Sequence, residues 1–193
     1  MKRFALLALA LTVVLLLPAC GMQKKSAETA ISGVESAYNG IREQAMNVAP
    51  DQAKMIEDAI AAAKASVEKD DFKTALETTK DLPAKVKELS DGLAAKQAEL
   101  QQTWEGLNAA LPGAVTSLSQ KMGAMKKPPT GMDKAAFDAA KTALAEMKTK
   151  WGEATAAMQG GKLAEAAAKA GEVKAGVVAL MTELKMTVPA GLK

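Results

Sequence analysis

Residues 137–158 read FDAAKTALAEMKTKWGEATAAM, and this stretch decides the fold. Its apolar residues Phe137, Ala140, Leu144, Met147, Trp151, Ala154 and Met158 advance by alternating steps of three and four. That spacing returns every side chain to one stripe of a helix, whereas a strand would place every second residue on a face. The intervening positions are mostly Lys, Glu, Thr and Ala, so the remaining faces suit solvent. An apolar stripe is stable only against another, and the segment therefore predicts one member of a helical bundle. Gly160-Gly161 ends it.

The same step runs outward in both directions. On the C-terminal side Leu163, Ala166, Ala170, Val173, Val177, Leu180 and Leu184 form a further helix that stops before Pro189, leaving residues 187–193 as an extended tail. On the N-terminal side Lys126 to Gly131, with Pro128-Pro129, reads as a loop. Before it, Val115, Leu118, Met122 and Met125 continue a seam from Leu100, Trp104, Leu107 and Leu111, with a kink or break expected at Leu111-Pro112-Gly113. Phe72, Ala75, Thr79, Leu82, Val86, Leu89 and Leu93 form the helix before that, with Pro83 expected to kink it. Ile56, Ile60, Ala63 and Val67 mark a shorter helix that Pro50 opens, and Asp70-Asp71 reads as the turn and cap that follow it. The first seam is Ala27, Ile31, Val34, Tyr38, Ile41, Ala45 and Val48.

These seams repeat. An offset of 91 carries Phe72, Ala75, Thr79, Leu82, Val86, Leu89 and Leu93 onto Leu163, Ala166, Ala170, Val173, Val177, Leu180 and Leu184, and carries Ile56, Ile60, Ala63 and Val67 onto Met147, Trp151, Ala154 and Met158. An offset of 77 carries Val34, Tyr38, Ile41, Ala45 and Val48 onto Leu111, Val115, Leu118, Met122 and Met125. The offsets differ by two heptads, so the helix of residues 137–158 reads as its counterpart lengthened by about four turns with the buried face preserved. The expected fold is all-α: an antiparallel helical bundle of two tandem three-helix units, spectrin-like or coiled-coil-like, over residues 27–100 and 101–186. The chain would be elongated if the helix runs through Pro112 and compact if it folds back there. Common descent of the units and a shared coiled-coil pattern both account for the repeat.

The N-terminus supplies an address. Met1-Lys2-Arg3 places two cations ahead of an apolar run from Phe4 to Leu17, which closes on Leu17-Pro18-Ala19-Cys20-Gly21. Cations hold such a segment on the cytoplasmic side, the apolar helix enters the translocon, and a small residue before cysteine admits a peptidase. Residues 1–19 therefore read as a lipoprotein signal peptide, Cys20 as the lipidated residue, and residues 20–26 as a tether. The run is shorter than the roughly 20 residues a bilayer span needs. A diacylglycerol on the thiol and an acyl group on the new α-amine make three chains, which suffices for stable anchoring. Pro18 departs from the usual small or aliphatic residue. Gly21, in place of aspartate, resembles the pattern of lipoproteins sorted to the outer membrane.

Composition narrows the chemistry. The chain has no histidine and one cysteine, the one assigned to lipid. A Ser-His-Asp triad, a Cys-His pair, histidine-ligated haem or di-iron and any disulfide are thereby excluded. Without Lys2 and Arg3 the 25 basic residues become 23, against 22 acidic ones, a balance unlike a nucleic-acid surface. No Asp-x-Asp-x-Asp-Gly calcium loop is present. No cofactor, metal or nucleic-acid partner is expected, nor any enzymatic activity.

Other candidates weigh less. Trp104 and Trp151 could mark a partner groove, and Met122, Met125, Met147, Met158 and Met181 an adaptable apolar surface, but nearly all lie on seams and read as core. Glu57-Asp58 cannot face one substrate, since helical neighbours diverge by about 100°. Asp70-Asp71 is explained by capping. The terminal Lys193, after a flexible stretch, makes the chain similar to the murein lipoproteins of enterobacteria, whose terminal lysine is joined to peptidoglycan. This chain is about three times as long, folds back on itself and lacks their basic or aromatic end.

Residues Tyr38 to Leu89 also resemble a widespread class of uncharacterised bacterial lipoproteins. The likeness rests on Val48-Ala49-Pro50-Asp51 and on Lys69-Asp70-Asp71-Phe72-Lys73-Thr74-Ala75, where the usual turn glycine is missing. It covers about a third of the chain, shares its features with tetratricopeptide-type hairpins, and implies an envelope location with no catalytic residues. The expected function is a lipid-anchored, non-enzymatic interaction or scaffold protein on the periplasmic side of the outer membrane, docking another envelope protein. A carrier of a lipid or hydrophobic small molecule is the alternative, and a peptidoglycan tether through Lys193 a lesser one. An exposed seam could also pair with a second copy as a homo-oligomer.

Overall fold

The computed structural model describes residues 17–193, with side chains from Gly21 onward. The signal peptide expected over residues 1–19 lies outside the described residues up to position 16. Among the described residues the protein is all-α, with helices packed against one another and no strand: α1 (Leu17–Asn39), α2 (Arg42–Val48), α3 (Pro50–Glu68), α4 (Phe72–Thr79), α5 (Leu82–Ala124), α6 (Lys134–Gln159) and α7 (Leu163–Glu183), then a 3-10 turn at Ala190–Leu192. They form two compact units divided within α5, between Gly92 and Leu93. The division falls earlier than Leu100–Gln101, where the seams suggested it.

In the first unit α1 packs on α3 and α4, and α3 packs on both α2 and α4. Glu35 of α1 pairs with Lys64 of α3, and Tyr38 of α1 meets Glu57 of α3, so the two helices run antiparallel. Ile31, Val34 and Tyr38 of α1, and Ile56, Ile60 and Ala63 of α3, are buried as the seams require.

The first seam is not one helix. Asn39 and Gly40 are weak helix formers, and the chain turns there, with Ile41 N–H bonding Tyr38 O at 2.9 Å before Ala45 N–H resumes the helical pattern on Ile41 O at 2.8 Å. Ile41 is left half-buried. Pro83 differs from expectation in a similar way. It does not kink a helix: α4 closes at Thr79, the chain turns through Lys80 and Asp81, and α5 begins at Leu82. A proline ring collides with the carbonyl four residues back and lacks a donor, but it is tolerated in a first turn. The Thr79 hydroxyl, within 3.0 Å of Ala75 O and 3.2 Å of Leu76 O, bonds the backbone of α4's last turn. Pro112, in contrast, lies inside α5, which continues across it. Buried Leu111, Ala114 and Leu118 hold that turn by packing.

Residues 20–26 are helical and not a loose tether: they belong to α1. Met22 to Lys25 are unbranched residues with good helix propensity. Ser26 Oγ donates to Met22 O at 2.9 Å and Thr29 Oγ1 to Lys25 O at 2.7 Å.

In the second unit, residues of α5 from Trp104 onward share one apolar core with α6, α7 and Leu192. Lys150 pairs with Glu172 and Glu153 with Lys169, which sets α6 and α7 antiparallel. The tail departs from expectation, since Leu192 is only 1% exposed and belongs to that core. A single leucine beyond Pro189 packs into the bundle, so the chain end is held there. Backbone bonds from Leu192 N–H to Pro189 O and from Lys193 N–H to Ala190 O close the turn.

The offset of 91 is reproduced in backbone geometry. In the first unit Asp70 takes φ +57, Asp71 N–H bonds Ser66 O at 2.9 Å, and Ala75 N–H bonds Asp71 O at 3.1 Å. In the second, Gly161 takes φ +75, Lys162 N–H bonds Ala157 O at 2.9 Å, and Ala166 N–H bonds Lys162 O at 2.9 Å. Asp71 and Lys162, which precede α4 and α7, have φ/ψ of −90/70 and −87/70. The two turns are one structure built from different residues. The lengthening is smaller than four turns: α6 has 26 residues against 19 in α3, one heptad more. The other heptad is taken up by the loop after α5, where Pro128, Pro129 and Gly131 at φ +93 oppose helix until the Asp133 carboxylate accepts from Ala136 N–H at 2.7 Å.

Candidate functional sites

The expected lipidation residue, Cys20, lies in the first turn of α1, but its side chain lies outside the described residues. Gly21 to Ser26 after it are exposed on a formed helix, and Ala27 is the first fully buried side chain. Met22 is 74% exposed, with Lys24 and Lys25 beside it. At the other end Lys193 is exposed, but the residue before it is held in the core. A terminal lysine on so short a leash reaches less far than the flexible tail expected from sequence.

Trp104 and Trp151 meet. Their rings stack with centroids 5.5 Å apart and planes 8° from parallel, Trp104 buried and Trp151 partly so. Offset stacking of this kind adds to burial and fits the core reading. Met122, Met147 and Met181 are buried, while Met125 and Met158 pack partly buried on the same core. Among the described residues the exposed methionines are others: Met22, Met46 and Met55.

The acidic doublets do not act as pairs. Glu57 bonds Arg42 Nε at 2.7 Å, while Asp58 takes Lys54 at 3.0 Å. Asp71 caps α4 by accepting from Thr74 N–H at 3.1 Å, and hydrogen bonding from Thr74, its side chain first and then its backbone, holds the Asp71 carboxyl below the usual carboxylate range. Among the described residues, no group of three or more His, Cys, Asp or Glu side chains could hold a metal ion. No described helix is long and apolar enough to cross a membrane.

One cluster escaped the sequence reading. Tyr38, the only tyrosine, has its hydroxyl 3.2 Å from Glu57 Oε1 and 3.3 Å from Ala53 O, and donates to one of them at a time. Arg42, the one arginine besides Arg3, completes it. Burial, and then the adjacent Glu57 charge, raise the Tyr38 pKa. The Arg42 hydrogen bond lowers that of Glu57. Arg42 four residues after a seam tyrosine was the available signal. The cluster clamps the α1–α2 turn to α3.

Grooves on the first unit are shallow. One of about 290 Å³ runs between α1 and α3, lined by Ile31, Glu35, Lys64 and Val67 among others. The Glu35–Lys64 ion pair spans it. Comparison with family models, curated proteins and solved structures finds no match to this chain.

Proposed function

We propose that this protein is a lipid-anchored, non-enzymatic interaction or scaffold protein of the bacterial cell envelope. The observation that carries the reading is the N-terminal sequence: two cations, an apolar run too short to span, and Leu17-Pro18-Ala19-Cys20. Acyl chains on Cys20 hold the chain on the periplasmic face of the outer membrane, and the helical units present charged outer faces to an envelope protein. Support for docking over carriage comes from the second unit's interior. Its core is filled by its own Leu, Val, Met and Trp side chains, and ion pairs between α6 and α7 brace the closed hairpin. The resemblance over Tyr38 to Leu89 supports the same address.

Two measurements test it. Intact mass of the protein extracted from native membranes is expected to show a mature chain beginning at an acylated Cys20, and Cys20→Ser is expected to abolish the adduct. Crosslinking of the anchored protein in its native cells, read by mass spectrometry, is expected to give one dominant envelope protein. An unmodified Cys20 sinks the anchor. Bound lipid without any protein adduct turns the reading to a carrier, and a murein adduct at Lys193 to a tether.

A further inference from the structure

We propose that residues 21–26, the exposed stretch of α1 that follows the acylated Cys20, form a second contact with the membrane, in which Met22 enters the headgroup boundary and Lys24 and Lys25 lie on anionic phospholipid headgroups. The inference rests on the lipid anchor at Cys20 and goes on to say what the chain does after it.

Helix length sets the distance. Residues after Cys20 continue α1, and the hydroxyls of Ser26 and Thr29 bond the preceding turn. With a rise of 1.5 Å per residue, the step from Cys20 to the first buried residue, Ala27, covers only about 10 Å, against more than ~20 Å for an extended tether. The headgroup layer on each side of a bilayer is itself roughly 5–7 Å thick. Acyl chains in the hydrocarbon therefore leave Met22, two residues on, within that layer.

The side chains suit the place. A step of 100° per residue puts Met22 and Lys25 on the side of α1 opposite Ala27 and Ile31, which face the core, while Lys24 lies on the core side but ahead of the first buried residue and is exposed there. Packing within the unit therefore makes no use of them, and Met22 stands 74% exposed. Lys24 and Lys25 are exposed, and no acidic residue precedes Glu28, so the segment carries two positive charges where it meets the surface. Cationic side chains beside an acyl anchor reinforce binding to anionic lipid and lose that effect as salt screens them.

The test uses the full acylated protein reconstituted in vesicles of phosphatidylethanolamine with phosphatidylglycerol. Thioether formation occupies the Cys20 sulfur, so spin labels go singly onto Met22→Cys, Ser26→Cys and Lys127→Cys. The label at position 22 is expected to move slowly, to be open to oxygen and to be shielded from an aqueous nickel chelate. The label at 127 should be fully open to the chelate. Lys24→Gln with Lys25→Gln, or vesicles of phosphatidylcholine alone, should raise chelate access at position 22 several-fold. A label at 22 as mobile and as chelate-accessible as one at 127, on a chain whose mass shows an acylated Cys20, overturns this proposal and leaves the anchor standing. An unacylated Cys20 overturns both.

Discussion

Tyr38 shows how one polar atom on an apolar seam can hold two helices. Its ring is buried among apolar side chains while the hydroxyl reaches Glu57 and Ala53 of α3. Tyr38→Phe is expected to destabilise the first unit by about 1 kcal/mol, measured by chemical denaturation, since a buried hydrogen bond is lost with little change of volume. Glu57 adds a pH dependence whose sign follows from its lowered pKa in the folded state. The unfolded carboxylate binds protons first, so the contribution is complete above the ordinary value of 4.5 and disappears as pH falls through the lower folded value. Glu57→Gln should flatten the acid side of the stability profile in that window. Gly176 makes a different point. A Cβ there would lie 2.7 Å from Met147 Cε and 2.9 Å from its Sδ, although alanine is the better helix former by about 1 kcal/mol. Because those atoms are the flexible end of the methionine, Gly176→Ala is expected to change stability little in the native background and to raise it by about 1 kcal/mol when Met147 is already Ala, a difference that a double-mutant cycle reads directly.

Elements here are bounded by backbone chemistry more than by the apolar pattern. The turns at Asp70 and Gly161 have matching geometry, but only one carries the residue suited to positive φ. Asp70→Gly should stabilise the first unit by up to about 1 kcal/mol, and Gly161→Ala should destabilise the second by about 1–2 kcal/mol. Equal effects of the same sign at both turns would contradict their equivalence. Pro112 is the opposite case, a proline retained inside a helix and exposed on its outer face. Pro112→Ala restores the missing donor for the Asn108 carbonyl and is expected to raise stability by about 1–3 kcal/mol in thermal unfolding. Pro83→Ala should change less, because Pro83 already sits in a first turn. The periodicity alone could not separate these two prolines. Both interrupt a seam in sequence, and only the packing of Leu111, Ala114 and Leu118 says which turn survives.

Both tryptophans lie in the second unit and the only tyrosine in the first, so tryptophan fluorescence follows one unit of the whole molecule separately. Leu192→Ala is expected to lower the stability read by tryptophan by about 3 kcal/mol, as for any fully buried leucine, while a change at exposed Lys193 should leave it untouched. A mutant that unfolds like the parent would return residues 187–193 to the status of a free tail. The helical class, the seams and their repeat were legible in the chain, because a 3.6-residue period marks the same face whatever the partner. The candidate sites were partly legible: Asp71 was readable as a cap from its position before an apolar run, and Trp104 and Trp151 as core from their seams. The bond from Tyr38 to Glu57, the stack of the two rings and the burial of Leu192 were not, because each joins residues remote in sequence whose meeting depends on how helices are set against each other. The sequence by itself determined which faces are apolar, since that is a property of spacing. Only the tertiary structure decided which proline is tolerated inside a helix and what the last leucine covers, since those depend on packing against residues far along the chain.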